Sequence, residues 1–398
     1  MLPNMTHTNN PKTALDTLLI QSGGIHTPFG ETSEALFLNS AYTFDSAEHA
    51  AARFAKTDPG YFYSRYSNPS LDMLEQRLAA IETGADRAIA CASGMAAVFA
   101  ALMSGLESGD HVVANKVLFS SCYYIITKIL PEFGITYTLV DSGDQAAWEA
   151  AFTDQTTHVF IESPANPTME LVDIEALAGL CKARGARLLV DNVFATPLYQ
   201  SPLELGADMV IYSTTKHLDG QGRTLGGAIV GNQALLEDVV LPFVRHTGPH
   251  MSPFTAWVVF KGLETLSLRM DRHSDNAEAI ARALEGHSAI QKVLHPHLES
   301  HPQHALAKKQ MKRAGGVFAV ELADQDTAFR FMNACNIGRI SNNIGDAKTL
   351  ITHPASTTHA SIAPEERNAI GLGDGLVRIS AGLEDKDDLV ADFVGALP

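Results

Sequence analysis

Three short apolar runs, Thr157-His158-Val159-Phe160-Ile161, Arg187-Leu188-Leu189-Val190 and Asp208-Met209-Val210-Ile211-Tyr212, each give way at once to polar residues. Runs of this length bounded by turn formers read as buried strands. Between the first two lies Asp173-Ile174-Glu175-Ala176-Leu177-Ala178-Gly179-Leu180-Cys181-Lys182-Ala183-Arg184-Gly185, with a capping aspartate, apolar positions at helical spacing and a closing glycine. Strand, helix and strand in that order pair in parallel. The pattern therefore predicts an α/β sheet that delivers Glu162, Asp191 and the segment 213–216 to one edge, where open sheets bind ligands.

Lys216 sits in Ser213-Thr214-Thr215-Lys216-His217-Leu218-Asp219-Gly220-Gln221-Gly222-Arg223, just past the third strand. A lysine there can form a Schiff base with pyridoxal phosphate (PLP); a surface lysine in a polar turn is the other reading. Asp191 can pair with a protonated pyridine nitrogen, or simply form a turn. Ser93-Gly94-Met95-Ala96-Ala97 opens a helical run to Leu102 whose amides and dipole would face a phosphate, although the same pattern also starts ordinary helices. Arg378 lies in the apolar segment Leu376-Val377-Arg378-Ile379-Ser380, where an unpaired charge is costly. It calls for an anionic partner, either a ligand carboxylate or an internal ion pair.

Composition narrows the field. A chain of 398 residues that is 45% apolar can bury large cores, and the formal charge of −16 argues against nucleic acid or an anionic membrane as partner. The four cysteines, Cys91, Cys122, Cys181 and Cys335, are widely spaced, which fits a reducing cytoplasm. No basic start precedes an apolar core, and no stretch approaches the roughly eighteen apolar residues of a membrane span, so neither a targeting segment nor a membrane partner is expected. His295, His297, His301 and His304 lack the spacing of a closed ligand set and read as a solvated loop and helix start, with no metal.

Taken together, Tyr63-Ser64-Arg65, Ala92-Ser93-Gly94-Met95-Ala96-Ala97, Pro164-Ala165-Asn166-Pro167, Asp191, the segment 213–216 and Val377-Arg378-Ile379-Ser380-Ala381-Gly382-Leu383-Glu384 carry a resemblance. From about Thr17 to its end the chain resembles the PLP enzymes of cysteine and methionine metabolism. Within them Asp219-Gly220-Gln221-Gly222-Arg223 most resembles O-succinylhomoserine sulfhydrylases, since lyases more often carry a Gly-His pair there. The resemblance implies an aminotransferase-like (fold type I) α/β architecture with a mainly parallel central sheet and a smaller α+β C-terminal domain. It implies that Lys216 holds PLP and acts as base and acid, that Asp191 meets the ring nitrogen, and that Gly94, Met95, Ser213 and Thr215 hold the phosphate. Tyr63 and Arg65 would reach that phosphate from a partner subunit, making the active site shared and the protein a homotetramer. Asn166, Asn343 and Arg378 would bind the substrate, Asn166 also meeting the ring oxygen of PLP.

Two positions depart from the commoner family pattern. Phe119 stands where a tyrosine usually stacks on the ring, and Asn343 where many members have serine. Stacking survives the first change but the hydroxyl is lost. Both favour replacement of an O-succinyl group by sulfide, giving homocysteine, over γ-elimination; cystathionine γ-synthase and then a cystathionine or methionine γ-lyase are the alternatives. Arg223 is a candidate for the succinyl carboxylate, or for an ion pair that fixes its own loop. The chain divides into an N-terminal arm (1–68) with few periodic segments, a PLP-binding α/β domain (69–262) and a C-terminal α+β domain (263–398), the last entered through a connecting helix at Leu263–Met270.

Overall fold

The computed structural model describes residues 13–398. Seven strands form the larger sheet: β1 (Arg87–Cys91), β2 (His111–Asn115), β3 (Thr136–Val140), β4 (Thr156–Glu162), β5 (Arg187–Asp191), β6 (Met209–Tyr212) and β7 (Gly227–Gly231), in the order β1-β7-β6-β5-β4-β2-β3. Pairing is parallel from β3 through β6 and antiparallel only where β7 enters between β6 and β1. Because β7 is antiparallel to both neighbours, β1 points the same way as β6, and its end joins the same edge. Five further strands, β8 (Lys292–Leu294), β9 (Val317–Glu321), β10 (Arg339–Ile340), β11 (Leu350–Thr352) and β12 (Leu376–Ser380), make a smaller sheet in the order β10-β11-β12-β9-β8, antiparallel except for β10 against β11.

Alternation along each strand feeds two cores. Val210 and Tyr212 pack with Leu71, Leu74 and Val259 of the helices Pro69–Ile81 and Pro253–Leu263 on one face. Met209 and Ile211 pack with Val98 and Leu102 of the helix Gly94–Met103 on the other. Both faces are covered, as a parallel sheet with continuous apolar strands requires. The helix Ile174–Arg184 follows its sequence signals closely. Asp173 accepts from the Ala176 amide, and Gly185 closes it at a φ of 73°.

Three regions differ from expectation. The stretch 1–68 holds two helices among its described residues, Leu15–Gln21 and Ala47–Phe54. The second is amphipathic and capped by Ser46, whose hydroxyl accepts from the His49 amide, yet it buries no residue. The expected helix at Leu263–Met270 is interrupted: one helix ends at Leu263 and another runs Leu266–Leu284. Arg269 explains the joint, because its guanidinium turns inward onto the carbonyls of Gly262 at 2.9 Å and His217 at 2.6 Å. Gly220, at a φ of 71°, lies so close to that guanidinium that a Cβ would stand 1.9 Å from Nη1. Finally, His295 and His301 are buried rather than solvated. Burial holds them neutral, pushing their pKa values down to about 3 and about 4.

Arg77 ties the N-terminal segment to the sheet-covering helices. Its fully buried guanidinium donates to the carbonyls of Ser22 (2.8 Å), Ile20 (2.9 Å) and Phe260 (3.1 Å), and its carbon lies 3.5 Å from the centre of the Phe260 ring. Glu34 at 3.8 Å and Glu264 at 3.7 Å supply the balancing charge. Replacing Arg77 with methionine leaves the carbonyls of Ser22, Ile20 and Phe260 without this donor and Glu34 with Lys261 as its cation. The expected cost is about 3–5 kcal/mol, read as a lowered thermal midpoint; an unchanged midpoint would show that this anchor contributes nothing.

Candidate active site

The carboxyl ends of β1, β4, β5 and β6 meet at one edge and line a cavity of about 600 Å³. The cavity brings together Gly94, Met95, Phe119, Asn166, Asp191, Ser213, Thr215, Lys216, Arg223, Asn343 and Arg378. Of the residues picked out from the sequence, Tyr63 and Arg65 are the two that do not line it. Tyr63 is 42% exposed, and the Arg65 guanidinium lies 4.8 Å from the Tyr66 ring centre and donates to the carbonyl of Arg245. Glu162, noted in the sequence only as a strand end, lines the cavity, as do Asn342 and Thr358.

At the centre, Lys216 Nζ donates to Asn343 Oδ1 at 2.6 Å. The two residues are 127 positions apart, one on the large-sheet edge and one in the loop after β10. Burial, and then the nearby Arg378 cation, lower the lysine pKa to about 8. Asp191 is half-buried at the end of β5, with Oδ1 accepting from the Val193 amide at 3.1 Å, and desolvation raises its pKa. Such a carboxylate gains most from a cation held against it, and a protonated pyridine nitrogen is one.

One end of the cavity suits a phosphate. Ser93 caps the helix Gly94–Met103 by accepting from the Ala96 amide at 3.1 Å, which leaves the first-turn amides at the cavity. Gly94 is needed for close approach, since a Cβ there would lie 2.7 Å from Ser213 Cβ. The Thr215 hydroxyl accepts from the Gly226 amide at 3.0 Å and donates to the Gly226 carbonyl at 3.2 Å, so it also holds the loop that returns to β7.

The opposite end suits a carboxylate. Arg378 is buried, and its guanidinium donates to neutral acceptors: Asn166 Oδ1 at 3.0 Å and the carbonyls of Asn342 at 2.8 Å and Asn343 at 3.3 Å. Its Nε has no partner. Desolvation lowers its pKa to about 10 against the pull of Glu162, so the cation is held in place short of a counter-ion. Arg223 differs, because its Nε donates to Asp219 Oδ1 at 2.9 Å, its amide to Asp219 Oδ2 at 2.7 Å, and Nη2 to the Asp219 carbonyl at 3.0 Å. Its side chain remains 37% exposed.

A half-buried lysine of lowered pKa, an acid able to face a pyridine nitrogen, a helix N-terminus for phosphate and a buried guanidinium with only neutral hydrogen-bond partners form a set that fits PLP and an amino acid. The sequence model of the Cys/Met metabolism PLP-dependent enzymes matches residues 16–398. The chain belongs to this family. Among Cys/Met metabolism enzymes it is 49% identical to the O-succinylhomoserine sulfhydrylase of Mycobacterium tuberculosis over 386 residues, 96% of this chain and 95% of that one. It is 48% identical to the O-succinylhomoserine sulfhydrylase of Pseudomonas aeruginosa, with the same two coverages. The solved structure of a putative O-acetylhomoserine (thiol)-lyase of Campylobacter jejuni, which holds N′-pyridoxyl-lysine-5′-monophosphate, superposes with a TM-score of 0.92 at 33% identity, covering 97% of this chain and all of that one. The protein is a PLP-dependent enzyme with the aminotransferase-like fold and a small-molecule amino-acid substrate. Among the described residues no helix is long and apolar enough to cross a membrane, and no three or more His, Cys, Asp or Glu side chains gather as metal ligands.

The lowered lysine pKa has a direct test. An amine attacks an aldehyde only in its neutral form, so a pKa of about 8 leaves far more reactive amine at neutral pH than the usual lysine value of 10.5. The rate at which apoenzyme recombines with PLP should rise about tenfold per pH unit and level off above about pH 8. Replacing Arg378 with leucine removes a cation that depresses the lysine and should move that plateau to higher pH. A wild-type rate that still climbs steadily at pH 9.5 would contradict the assignment.

Proposed function

We propose that this enzyme is an O-succinylhomoserine sulfhydrylase, making homocysteine and succinate from O-succinyl-L-homoserine and sulfide for methionine biosynthesis. The observation that carries the reading is the buried Arg378, which has neutral hydrogen-bond partners and an unpaired Nε, close enough to Lys216 to lower its pKa. The identity to two sulfhydrylases supports the choice of reaction.

Bound with its phosphate at Ser93, Gly94, Met95 and Ser213, PLP supplies an electron sink for the charge left when Cα loses a proton. Arg378 and Asn166 bind the substrate α-carboxylate, the first by a charge-assisted pair. Phe119 packs against the ring face without offering a proton, which leaves proton transfer to Lys216. Lys216 Nζ takes the proton from Cα and then exchanges protons at Cβ, and Asn343 Oδ1 orients that amine between transfers. Asp191 keeps the ring nitrogen protonated. The Cγ–O bond breaks, succinate leaves, a Cγ–S bond forms from hydrosulfide, and Lys216 restores the protons.

We also propose a homotetramer of two active-site dimers in the cytoplasm, each site completed by Tyr63 and Arg65 of a neighbour, and a chain divided at about residues 68 and 262. Exposed Phe29, Leu38 and Phe54 in the N-terminal stretch support a covered arm. Mixing inactive Arg65→Ala with inactive Lys216→Ala subunits should restore part of the activity, because one hybrid site then carries both native groups. No recovery in proven hybrids would count against a shared site.

Product analysis with succinyl and acetyl esters, each offered sulfide or cysteine, tests the reaction itself. Homocysteine from the succinyl ester and sulfide is expected, whereas faster cystathionine formation from cysteine would replace this reading. Arg223 is proposed to meet the distal succinyl carboxylate while Asp219 fixes its stem. Arg223→Met should then lower kcat/KM for the succinyl ester by about 1–3 kcal/mol and spare the acetyl ester. Equal losses would assign Arg223 to the loop alone.

A further inference from the structure

Glu162 ends β4 directly opposite Asp191 on β5, so two carboxylates leave adjacent strands about 5 Å apart at the backbone. Its own position is set by Asn115 at the end of β2, whose Oδ1 accepts from the Glu162 amide at 3.1 Å. Both side-chain oxygens are engaged. Oε1 accepts from the Asn166 amide at 2.9 Å, and Oε2 from the Phe119 amide at 2.8 Å. Asn166 in turn accepts from Arg378, so one carboxylate is linked to the ring platform and, through one further bond, to the guanidinium.

A neutral carboxyl group would turn its hydrogen toward one of those two N–H donors, so the arrangement suits the ionised form. Burial and the neighbouring Asp191 oppose that charge and push the Glu162 pKa well above the usual carboxylate range, although the two amide bonds and Arg378 pull the other way. A cation held at Asp191 would tip the balance toward two carboxylates. This inference rests on the PLP reading of the same cavity.

We propose that Glu162 is a positioning residue whose carboxylate holds Phe119 and Asn166 in one fixed register and sets a second negative charge behind Asp191. The first effect keeps the ring-stacking and carboxylate-binding walls of the cavity at constant separation. The second strengthens the hold of Asp191 on a protonated ring nitrogen and raises the pKa of a cation formed at Lys216. Glutamine at this position would keep the shape but lose the charge, and its NH₂ would face an amide N–H.

The test uses purified holoenzyme of the wild type, Glu162→Gln and Glu162→Asp. Three quantities are read: the pH midpoint of the visible absorption of bound PLP, the dissociation constant for PLP by fluorescence, and the separate kcat and KM. For Glu162→Gln the midpoint should fall by about one pH unit, the dissociation constant should rise about tenfold, and KM should rise more than kcat falls. Glu162→Asp retains the charge but draws it back, so its midpoint should stay near that of the wild type while KM remains raised. A glutamine variant with wild-type midpoint, PLP affinity and KM would overturn the proposal. If that variant does not fold, Glu162→Asp decides alone, and a wild-type KM in it would overturn the proposal equally. Absence of any visible band in the wild type would instead refute the PLP reading.

Discussion

Parallel hydrogen bonding of β4, β5 and β6 is the constraint from which the site follows. In a parallel sheet all strands end on the same side, so Glu162, Asp191 and the segment that leads to Lys216 arrive together without any help from the loops. Strands buried on both faces fix the register, because a slip of one residue would turn Val210 and Tyr212 into the core that holds Met209 and Ile211. The antiparallel insertion of β7 then returns β1 to the same direction and adds the helix N-terminus at Gly94.

Electrostatics inside the cavity runs against the protein as a whole. The chain carries a formal charge of −16, yet its ligands are anionic at both ends. Positive potential is therefore built locally, from a helix terminus at one end and a buried guanidinium at the other. Neutral carbonyl and amide acceptors orient Arg378 without neutralising it. The same cation lowers the Lys216 pKa, so one buried charge acts on both ends of the cavity.

The smaller sheet and the long helix Leu266–Leu284 act on the lysine loop from the other side. Arg269 holds the His217 carbonyl, and Asn343 holds the Lys216 amine itself. Arginine is suited to the first task because its planar fork reaches several carbonyls at once. Lys216 is thus held between two sheets, and movement of one relative to the other would be felt at its nitrogen.

Local signals in the sequence were enough for β4, β5 and β6, the capped helix after Asp173, the helix start at Ser93 and the unusual charge of Arg378, because each depends on neighbours within a few positions. Motif resemblance added PLP and most cavity residues, including Asn343. Other features were not legible. The break after Leu263, the burial of His295 and His301 and the junction made by Glu162 depend on which surfaces meet. Phe119 and Glu162 are 43 residues apart, and Lys216 and Asn343 are 127 apart. The chain order alone determined which groups reach the edge of the sheet. Only packing of the two sheets decided which of them touch, since hydrogen bonds form over about 3 Å and no local periodicity carries that distance across a hundred residues.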